Sequence, residues 1–442
     1  MKKLLLTFYG DDFTGSTDAL EQLTLAGVRT VLFLAPPSPA QIKKFGPLQA
    51  VGVAGVTRSL APAAMKKTLR PALQKLRVLG ASHTHYKVCS TFDSSPAIGS
   101  IGCAMDVGAS IFRAPFVPVL AAAPALGRFT IFGHHFARFG IGSAGAIYRL
   151  DRHPAISRHP ITPMREADLR QHLARQTKKK IALFDLLQLS LPEKAGRSAW
   201  QKTLAARPDV ILFDAVNDEH LRRIGQLLAA YASAGRPLFS VGSSGIERAL
   251  AIVWAQLRPA KKFAPPVPQL LVGSGSCSPV TTAQIDWALQ NGFAEVALAA
   301  DRLATAQREK EILRAVAASI KFLRAGRSVI VHTTRSGAKP SVTTKLRHRT
   351  AEILGTALGR VLREALAQVP VRRVCIAGGD TSGFAARALG VTSLEMVASL
   401  TPGAPVCRAG APGSPADGLE LVFKGGQVGA ENYFGLVRRG KI

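Results

Sequence analysis

The sequence predicts an α/β protein of two domains, each with a mainly parallel sheet flanked by helices. Three observations carry this prediction. The 442-residue chain opens on a strand, a turn, a helix and a second strand. The same succession of apolar run, small-residue turn and helix returns at 238–257, 269–289 and 374–389. Between the first two of these returns lies 258–268, Arg-Pro-Ala-Lys-Lys-Phe-Ala-Pro-Pro-Val-Pro, which suits a semi-rigid linker better than a core. The expected domains are therefore 1–257 and 269–442, with the linker between them.

The opening strand, Lys3-Leu4-Leu5-Leu6-Thr7-Phe8-Tyr9, runs into Gly10-Asp11-Asp12-Phe13-Thr14-Gly15-Ser16-Thr17-Asp18. Ser16 or Thr17 is suited to cap a helix through Ala19, Leu20, Leu23 and Leu25. Gly27 ends it, and 30–34 returns as a strand. In such a βαβ unit the carboxyl end of the strand and the amino end of the helix share one turn, where open parallel sheets bind ligands. Asp11, Asp12 and Asp18 make this turn acidic, so it is built to grip hydroxyls, orient a base or hold a metal rather than to cradle phosphate. Asp12 also fits a plain turn residue and Asp18 a first-turn helix acid. The adjacent Asp11-Asp12 pair favours function, because side-by-side like charges cost stability.

Further along, 50–57 reads as a strand and 61–79 as an amphipathic basic helix. His83-Thr84-His85-Tyr86-Lys87 alternates like a strand. Val88-Cys89-Ser90-Thr91-Phe92-Asp93-Ser94-Ser95-Pro96 is a hydroxyl-rich turn before a helix over 98–107. Lys87 beside Ser90, Thr91 and Asp93 suits a carboxylate or polyhydroxy ligand, and equally a capped turn with a solvated Lys. The segment from Arg128 through His134, His135, His153 and Arg158 to Met164 gathers histidines, but without metal-ligand spacing. Its prolines predict a long irregular loop that binds an anion or covers the site. Next come a helix over 166–176, strands over 180–186 and 210–214, and a helix over 220–234.

In the second half, Gly273-Ser274-Gly275-Ser276-Cys277-Ser278-Pro279 follows a strand, with Ser278 placed as N-cap and Pro279 in the first helical position. After a strand over 329–334 and a helix over 350–368, Gly378-Gly379-Asp380-Thr381-Ser382-Gly383 follows the strand over 374–377. Two turns of small residues at helix amino ends let backbone N–H groups approach phosphate oxygens, although neither matches a dinucleotide or P-loop fingerprint.

Composition excludes several classes. With 47% hydrophobic residues the chain is not disordered. Five cysteines without Cys-x-x-Cys spacing argue against a disulfide framework or a zinc site and for reduced thiols. Asp11 and Asp12 interrupt any signal-peptide pattern, and the apolar run near 114–126 holds three prolines, so a cytoplasmic protein without membrane spans is expected. The 57 Lys and Arg against 28 Asp and Glu give a net charge of +29. They lie in scattered short clusters, which supports attraction of anions rather than specific nucleic-acid readout.

These motifs together resemble the four-carbon acid sugar kinase family, nearly end to end. Gly10-Asp11-Asp12-Phe13-Thr14-Gly15 is similar to its amino-terminal signature, and Tyr86-Lys87 with Ser90 to Ser94 to its second substrate segment. The turns at 273–278 and 378–382, Pro402-Gly403, and Phe423-Lys424-Gly425-Gly426 are similar to its ATP-site segments. Within the family, 133–137 and 159–164 most resemble the 3-oxo-isoapionate kinase subgroup. The resemblance implies a sugar-acid domain, a nucleotide domain and an active site in the interdomain cleft, with ATP and Mg²⁺ as cofactors. It implies formation of 3-oxo-isoapionate 4-phosphate, with 3-oxo-tetronate, threonate or erythronate as alternative substrates. Asp12, or else Asp11, would orient or deprotonate the accepting hydroxyl. Thr14, Asp18, Lys87, Ser90, Thr91, Asp93, Arg128, His135 and Arg158 would bind the sugar acid. Ser274, Ser276, Ser278, Gly378, Gly379, Asp380, Thr381, Gly403, Lys424, Gly425 and Gly426 would bind ATP, with no metal ligand assigned to the protein. The expected partners are these small molecules, with no specific nucleic acid and no membrane, and a homodimer is the one assembly entertained. The rivals are a nicotinamide-dependent dehydrogenase, which lacks its G-x-G-x-x-G here, and a nonenzymatic polyanion-binding protein.

Overall fold

The computed structural model describes residues 4–139, 144–159, 162–232, 236–254, 263–333 and 350–441. Of the expected segments, 258–262 in the linker and Pro160-Ile161 lie outside the described residues, as does the side chain of Asp380. The chain forms two compact units that divide after Pro259, with Leu32–Leu34 counted to the second.

In the first unit the strands are β1 (Leu6–Gly10), β2 (Thr30–Phe33), β3 (Ala50–Ala54), β4 (His83–Lys87), β5 (Val117–Leu120), β6 (Arg128–Ile131), β7 (His134–Arg138), β8 (Ile147–Arg149), β9 (Ile181–Phe184), β10 (Val210–Phe213) and β11 (Leu238–Gly242). The main sheet runs β3-β1-β4-β11-β5-β10-β9, and its strand pairs are parallel. Every residue of β1, β3, β4 and β11 is buried, as expected of a parallel sheet covered on both faces. For β1 and β3 this follows from apolar side chains. For β4 it means that His83, His85 and Lys87 are buried too.

The second unit holds β12 (Leu271–Ser274), β13 (Ala294–Ala297), β14 (Val329–His332), β15 (Arg373–Ala377), β16 (Ser393–Thr401), β17 (Ala404–Gly410) and β18 (Glu420–Lys424). Their order is β13-β14-β12-β15-β18-β17-β16, parallel as far as β18 and antiparallel beyond it. The helix Thr350–Gln368 has the expected bounds, and Ser278 stands before Pro279–Gln290 as its N-cap. Among the described residues no helix is long and apolar enough to cross a membrane.

Two expectations need correction. The first helix is capped by Asp12, not by Ser16 or Thr17, and starts at Phe13. A carboxylate two residues past the strand reaches the free N–H of Gly15, so the helix starts earlier and the turn is shorter than the sequence suggested. The front half of the supposed long loop, 128–149, is a three-stranded antiparallel sheet, β6-β7-β8, while 153–159 and 162–164 are irregular as expected. Phe132 and Gly133 join β6 to β7 with φ of 51° and 83°, the two left-handed residues that a tight hairpin requires. The carboxylate of Asp214, just past β10, accepts from both of their backbone N–H groups at 2.6 and 2.9 Å and pins the hairpin.

Gly225 tests the packing on the sheet's flank. A Cβ there would strike the carbonyl of Ala249 on the neighbouring helix Gly245–Trp254, and a backbone atom cannot turn aside as a side chain can. Gly225→Ala is expected to cost at least about 2 kcal/mol in chemical denaturation, with the helices forced apart.

Candidate active site

The parallel register sets strand ends level. Gly10 pairs with Ala54 on one side and Lys87 on the other, and Lys87 pairs with Gly242. The chain leaves β1 towards β3 and returns on β1's other side as β4, so the crevice between β1 and β4 is a topological switch point, where such sheets bind ligands. The turns after β1, β3, β4 and β11 deliver Asp11 and Asp12, Arg58, Ser90 to Asp93, and Ser244 to this end.

Asp12 is fully engaged. Its Oδ1 accepts from Gly15 N at 2.9 Å, and its Oδ2 accepts from Thr14 Oγ1 and from the Arg58 guanidinium, each at 2.9 Å. Asp11 is held by its backbone, donating to Lys87 O at 2.8 Å and accepting from Arg58 N at 3.0 Å. Its carboxyl is buried, and Oδ1 has no hydrogen-bond partner. Burial, and then the charge of Asp12, push its pKa well above the usual carboxylate range.

Lys87 is 1% exposed; its ammonium donates to Val88 O at 2.9 Å and lies 3.5 Å from Asp18 Oδ2. Burial alone would lower its pKa, but Asp18, Asp12 and Glu247 outweigh burial and raise it, so the group is a firm cation. Burial raises the pKa of Asp18, opposed by Lys87 and by a hydrogen bond from Ser244. Gly15 matters here because a Cβ would meet Asp12 and come within 3.0 Å of Lys87 Nζ.

After β4, Thr91 Oγ1 donates to Asp93 Oδ2 at 2.7 Å. Burial lowers the pKa of His135 to about 4, so its ring is neutral. Its Nε2 donates to Ser90 O at 2.9 Å, and its Nδ1, at 2.9 Å from Thr130 Oγ1, accepts from that hydroxyl. His135 therefore shapes the Ser90 turn from β7 rather than offering a free nitrogen. Arg128 is buried and gives one terminal nitrogen to the carbonyls of Leu126, Gly127 and Arg138, while its Nε has no partner. Burial lowers its pKa, opposed by Cys89, Asp93 and Asp18, so it shares their neighbourhood. Arg158 stands apart, exposed on a turn.

The second unit repeats the device. Ser274, Ala377 and Lys424 are level, since Ser274 pairs with Ala377 and Ala377 with Lys424. The turns that follow pack closely. A Cβ on Gly275 would come within 2.7 Å of Thr381, and one on Gly426 within 2.9 Å of Ser278 and 3.0 Å of Ser276. Gly378 has φ of 139°, a conformation nearly reserved to glycine. Ser274 Oγ and Thr381 Oγ1 are buried without hydrogen-bond partners. Lys424 donates to Thr281 Oγ1 at 2.9 Å, and burial lowers its pKa to about 8. The helices Pro279–Gln290 and Gly379–Ala388 start at these turns. Turns of glycine and small hydroxyl residues, with two orphaned hydroxyls, a buried lysine and two helix amino ends gathered together, fit a polyphosphate. Gly379 and Gly425 lie within these turns, whereas Gly403 sits on a separate hairpin turn between β16 and β17. Among the described residues no cluster of three His, Cys, Asp or Glu side chains is placed to hold a metal.

Residues 6–250 match the sugar-binding N-terminal domain family, and residues 271–434 match the nucleotide-binding C-terminal domain family. The 3-oxo-isoapionate kinase of Paraburkholderia graminis is 44% identical over 99% of this chain and 95% of its own. The chain belongs to the four-carbon acid sugar kinase family. A 3-oxo-tetronate kinase of Cupriavidus necator is 31% identical over 97% of this chain and 95% of its own. A crystal structure of a Salmonella typhimurium LT2 protein superposes with a TM-score of 0.77 at 24% identity, covering 99% of both chains. At that identity it shows the shared fold alone.

Sequence reasoning missed Arg58, Ser244 and Glu247. The Gly242-Ser243-Ser244-Gly245 turn was visible as a strand–turn–helix junction, but only the pairing of β11 with β4 reveals what it faces. For Arg58 no local signal existed.

The cap predicts a measurable asymmetry. Asp12→Ala is expected to lose about 1–2 kcal/mol of stability by denaturant unfolding, and Asp12→Asn, which keeps an acceptor for Gly15 N, a smaller part of it.

Proposed function

We propose that this protein transfers the γ-phosphoryl group of ATP to a hydroxyl of 3-oxo-isoapionate, giving 3-oxo-isoapionate 4-phosphate. The observation that carries this reading is the pair of dissimilar strand-end clusters, one acidic around the buried Lys87 and one of glycine and hydroxyl turns around the buried Lys424, in a family whose 44% identical member is a 3-oxo-isoapionate kinase. Residues 1–257 would serve as the sugar-acid domain and 269–442 as the nucleotide domain. Transfer requires the hydroxyl held by the first and the phosphate held by the second to meet in line.

Lys87 and Arg128 would hold the sugar-acid carboxylate, with Ser90, Thr91 and Asp93 on its hydroxyls and Thr14 and Asp18 shaping the rim. The two adjacent acids divide the remaining work. Asp12 has both oxygens engaged, so it fixes the turn and keeps Arg58 in place. Asp11 has a free oxygen and a raised pKa, which suits a general base working near neutrality. This reverses the order of preference that the sequence suggested. Lys424 and the backbone N–H groups of 378–381 would hold the phosphates with Ser274, Ser276 and Ser278. Mg²⁺ would neutralise the phosphate charge when bound, held mainly by the phosphates and water.

Coupled ADP release with Mg-ATP against 3-oxo-isoapionate, 3-oxo-tetronate, D- and L-threonate and D-erythronate is the test. Turnover with the highest kcat/KM on 3-oxo-isoapionate is expected; preference for a 3-oxo-tetronate would reassign the substrate, and silence on all would refute the kinase. Asp11→Asn is expected to lower kcat by roughly 10²-fold or more, as for loss of a general base. If Asp12→Asn alone did so, the two roles would be exchanged.

A further inference from the structure

The face of β4 that carries Lys87 also carries His85 and His83, because alternate strand residues share a face. All three are buried. Ser240 on β11 lies between the two imidazoles, its Oγ 2.7 Å from His83 Nε2 and 2.9 Å from His85 Nδ1. A hydroxyl has one proton, so it donates to one ring and accepts from the other, and the tautomers of the two histidines are tied together. Beyond His85 stands Glu247, on the helix Gly245–Trp254 and wholly buried, with Oε2 3.7 Å from His85 Nε2. Neither that nitrogen nor either Glu247 oxygen has a hydrogen-bond partner.

Bare buried carboxylates are costly, and the proposed phosphoryl transfer gives this one no role. The charged or titratable groups facing it are His85 and Lys87 from β4 and Asp18 from the helix Phe13–Leu25, with His83 behind Ser240. We propose that Glu247 is a positioning residue for the sugar-acid subsite: standing behind Lys87, its carboxyl decides how much of the lysine's positive charge remains for a ligand carboxylate. The inference rests on the reading of Lys87 as the anion holder. With Glu247 neutral, Lys87 has Asp18 as its ion-pair partner and can accept a second anion. With Glu247 ionised, the lysine is shared by two protein carboxylates and the ligand's carboxylate is opposed. Burial pushes the Glu247 pKa up to about 8, with Lys87 opposing, while burial lowers the pKa of both histidines and keeps them neutral. The titratable proton of this row therefore resides on Glu247.

The test is the pH profile of KM for the sugar acid from pH 6 to 9.5 in the wild type, Glu247→Gln and Ser240→Ala. In the wild type KM rises about tenfold between pH 7 and 9, as follows if the ionised form binds poorly. In Glu247→Gln this rise in KM falls below about twofold, while the pH dependence of kcat, which Asp11 sets as the base, stays as in the wild type. Ser240→Ala cuts the row one residue away and shifts the midpoint of the rise. A wild-type profile retained in Glu247→Gln overturns the inference, and should that variant not fold, an unshifted midpoint in Ser240→Ala does so.

A second readout needs no turnover. Folded Glu247 keeps a proton that the unfolded chain releases near pH 4.5, so this group's contribution to stability falls as pH rises from there to about 8. Thermal unfolding of Glu247→Gln is therefore shallower in pH than that of the wild type, with Asp11, Asp18 and Asp214, whose pKa values burial also raises, contributing to the slope that remains. Equal slopes count against the inference. A wild type inactive on every sugar acid counts against the kinase reading instead.

Discussion

The first unit depends on burying one ammonium among carboxylates at the level ends of parallel strands. Lys87, level with Gly10 and Gly242, is almost wholly buried, so most of its charge must be met inside. Asp18 meets it directly, Gly15 makes room for it, and Asp12 spends its own charge on the helix cap and Arg58. Moving such ions out of water costs several kcal/mol each, to an order of magnitude, and a matched pair recovers that only with good geometry. An arrangement with acids in excess over their cations is poor for stability and useful for chemistry. It keeps a cation among carboxylates, where the proposed function would use it for an anionic ligand, and it raises the pKa of at least one carboxyl, Asp11.

The second unit solves a different problem with the same topology. Its level strand ends, Ser274, Ala377 and Lys424, lead into turns made of glycine and hydroxyl residues, so what faces the pocket is backbone N–H and orphaned oxygen. The comparison isolates what the turn sequence contributes. An Asp-Asp turn carries negative charge to one strand end, and a Gly-Gly turn removes side chains from another, so one favours hydroxyls and the other phosphates.

Much of this was legible in the sequence, and the rest was hidden for identifiable reasons. Local patterns placed the opening turn, the Ser278-Pro279 helix start and the helix Thr350–Gln368, because capping and periodicity act within a few residues. The Asp12 cap was misplaced because several adjacent residues can cap, and only the turn's closure chooses among them. The β6-β7-β8 sheet was read as part of a loop because the prolines at 154, 160 and 163, which follow it, set the reading of the whole segment, and because its hairpin turn is Phe-Gly rather than Asn-Gly. Arg58 and Glu247 could not be found from sequence at all, since nonlocal strand pairing brings Arg58 to Asp12 and helix packing brings Glu247 to His85 on the Lys87 strand. His135 was visible as a candidate, but the structure gives both its nitrogens to neighbours.

The central claim is that an acid-binding and a nucleotide-binding pocket exist as separable sites, one built on Lys87 and one on Lys424. Calorimetric titration of wild type, Lys87→Met and Lys424→Met with 3-oxo-isoapionate and, separately, with a nonhydrolysable Mg-ATP analogue tests it most directly. The account predicts that the Lys87 variant loses the sugar acid and keeps the nucleotide, and that the Lys424 variant does the opposite. Folded variants that each lose both ligands, or neither, would contradict it.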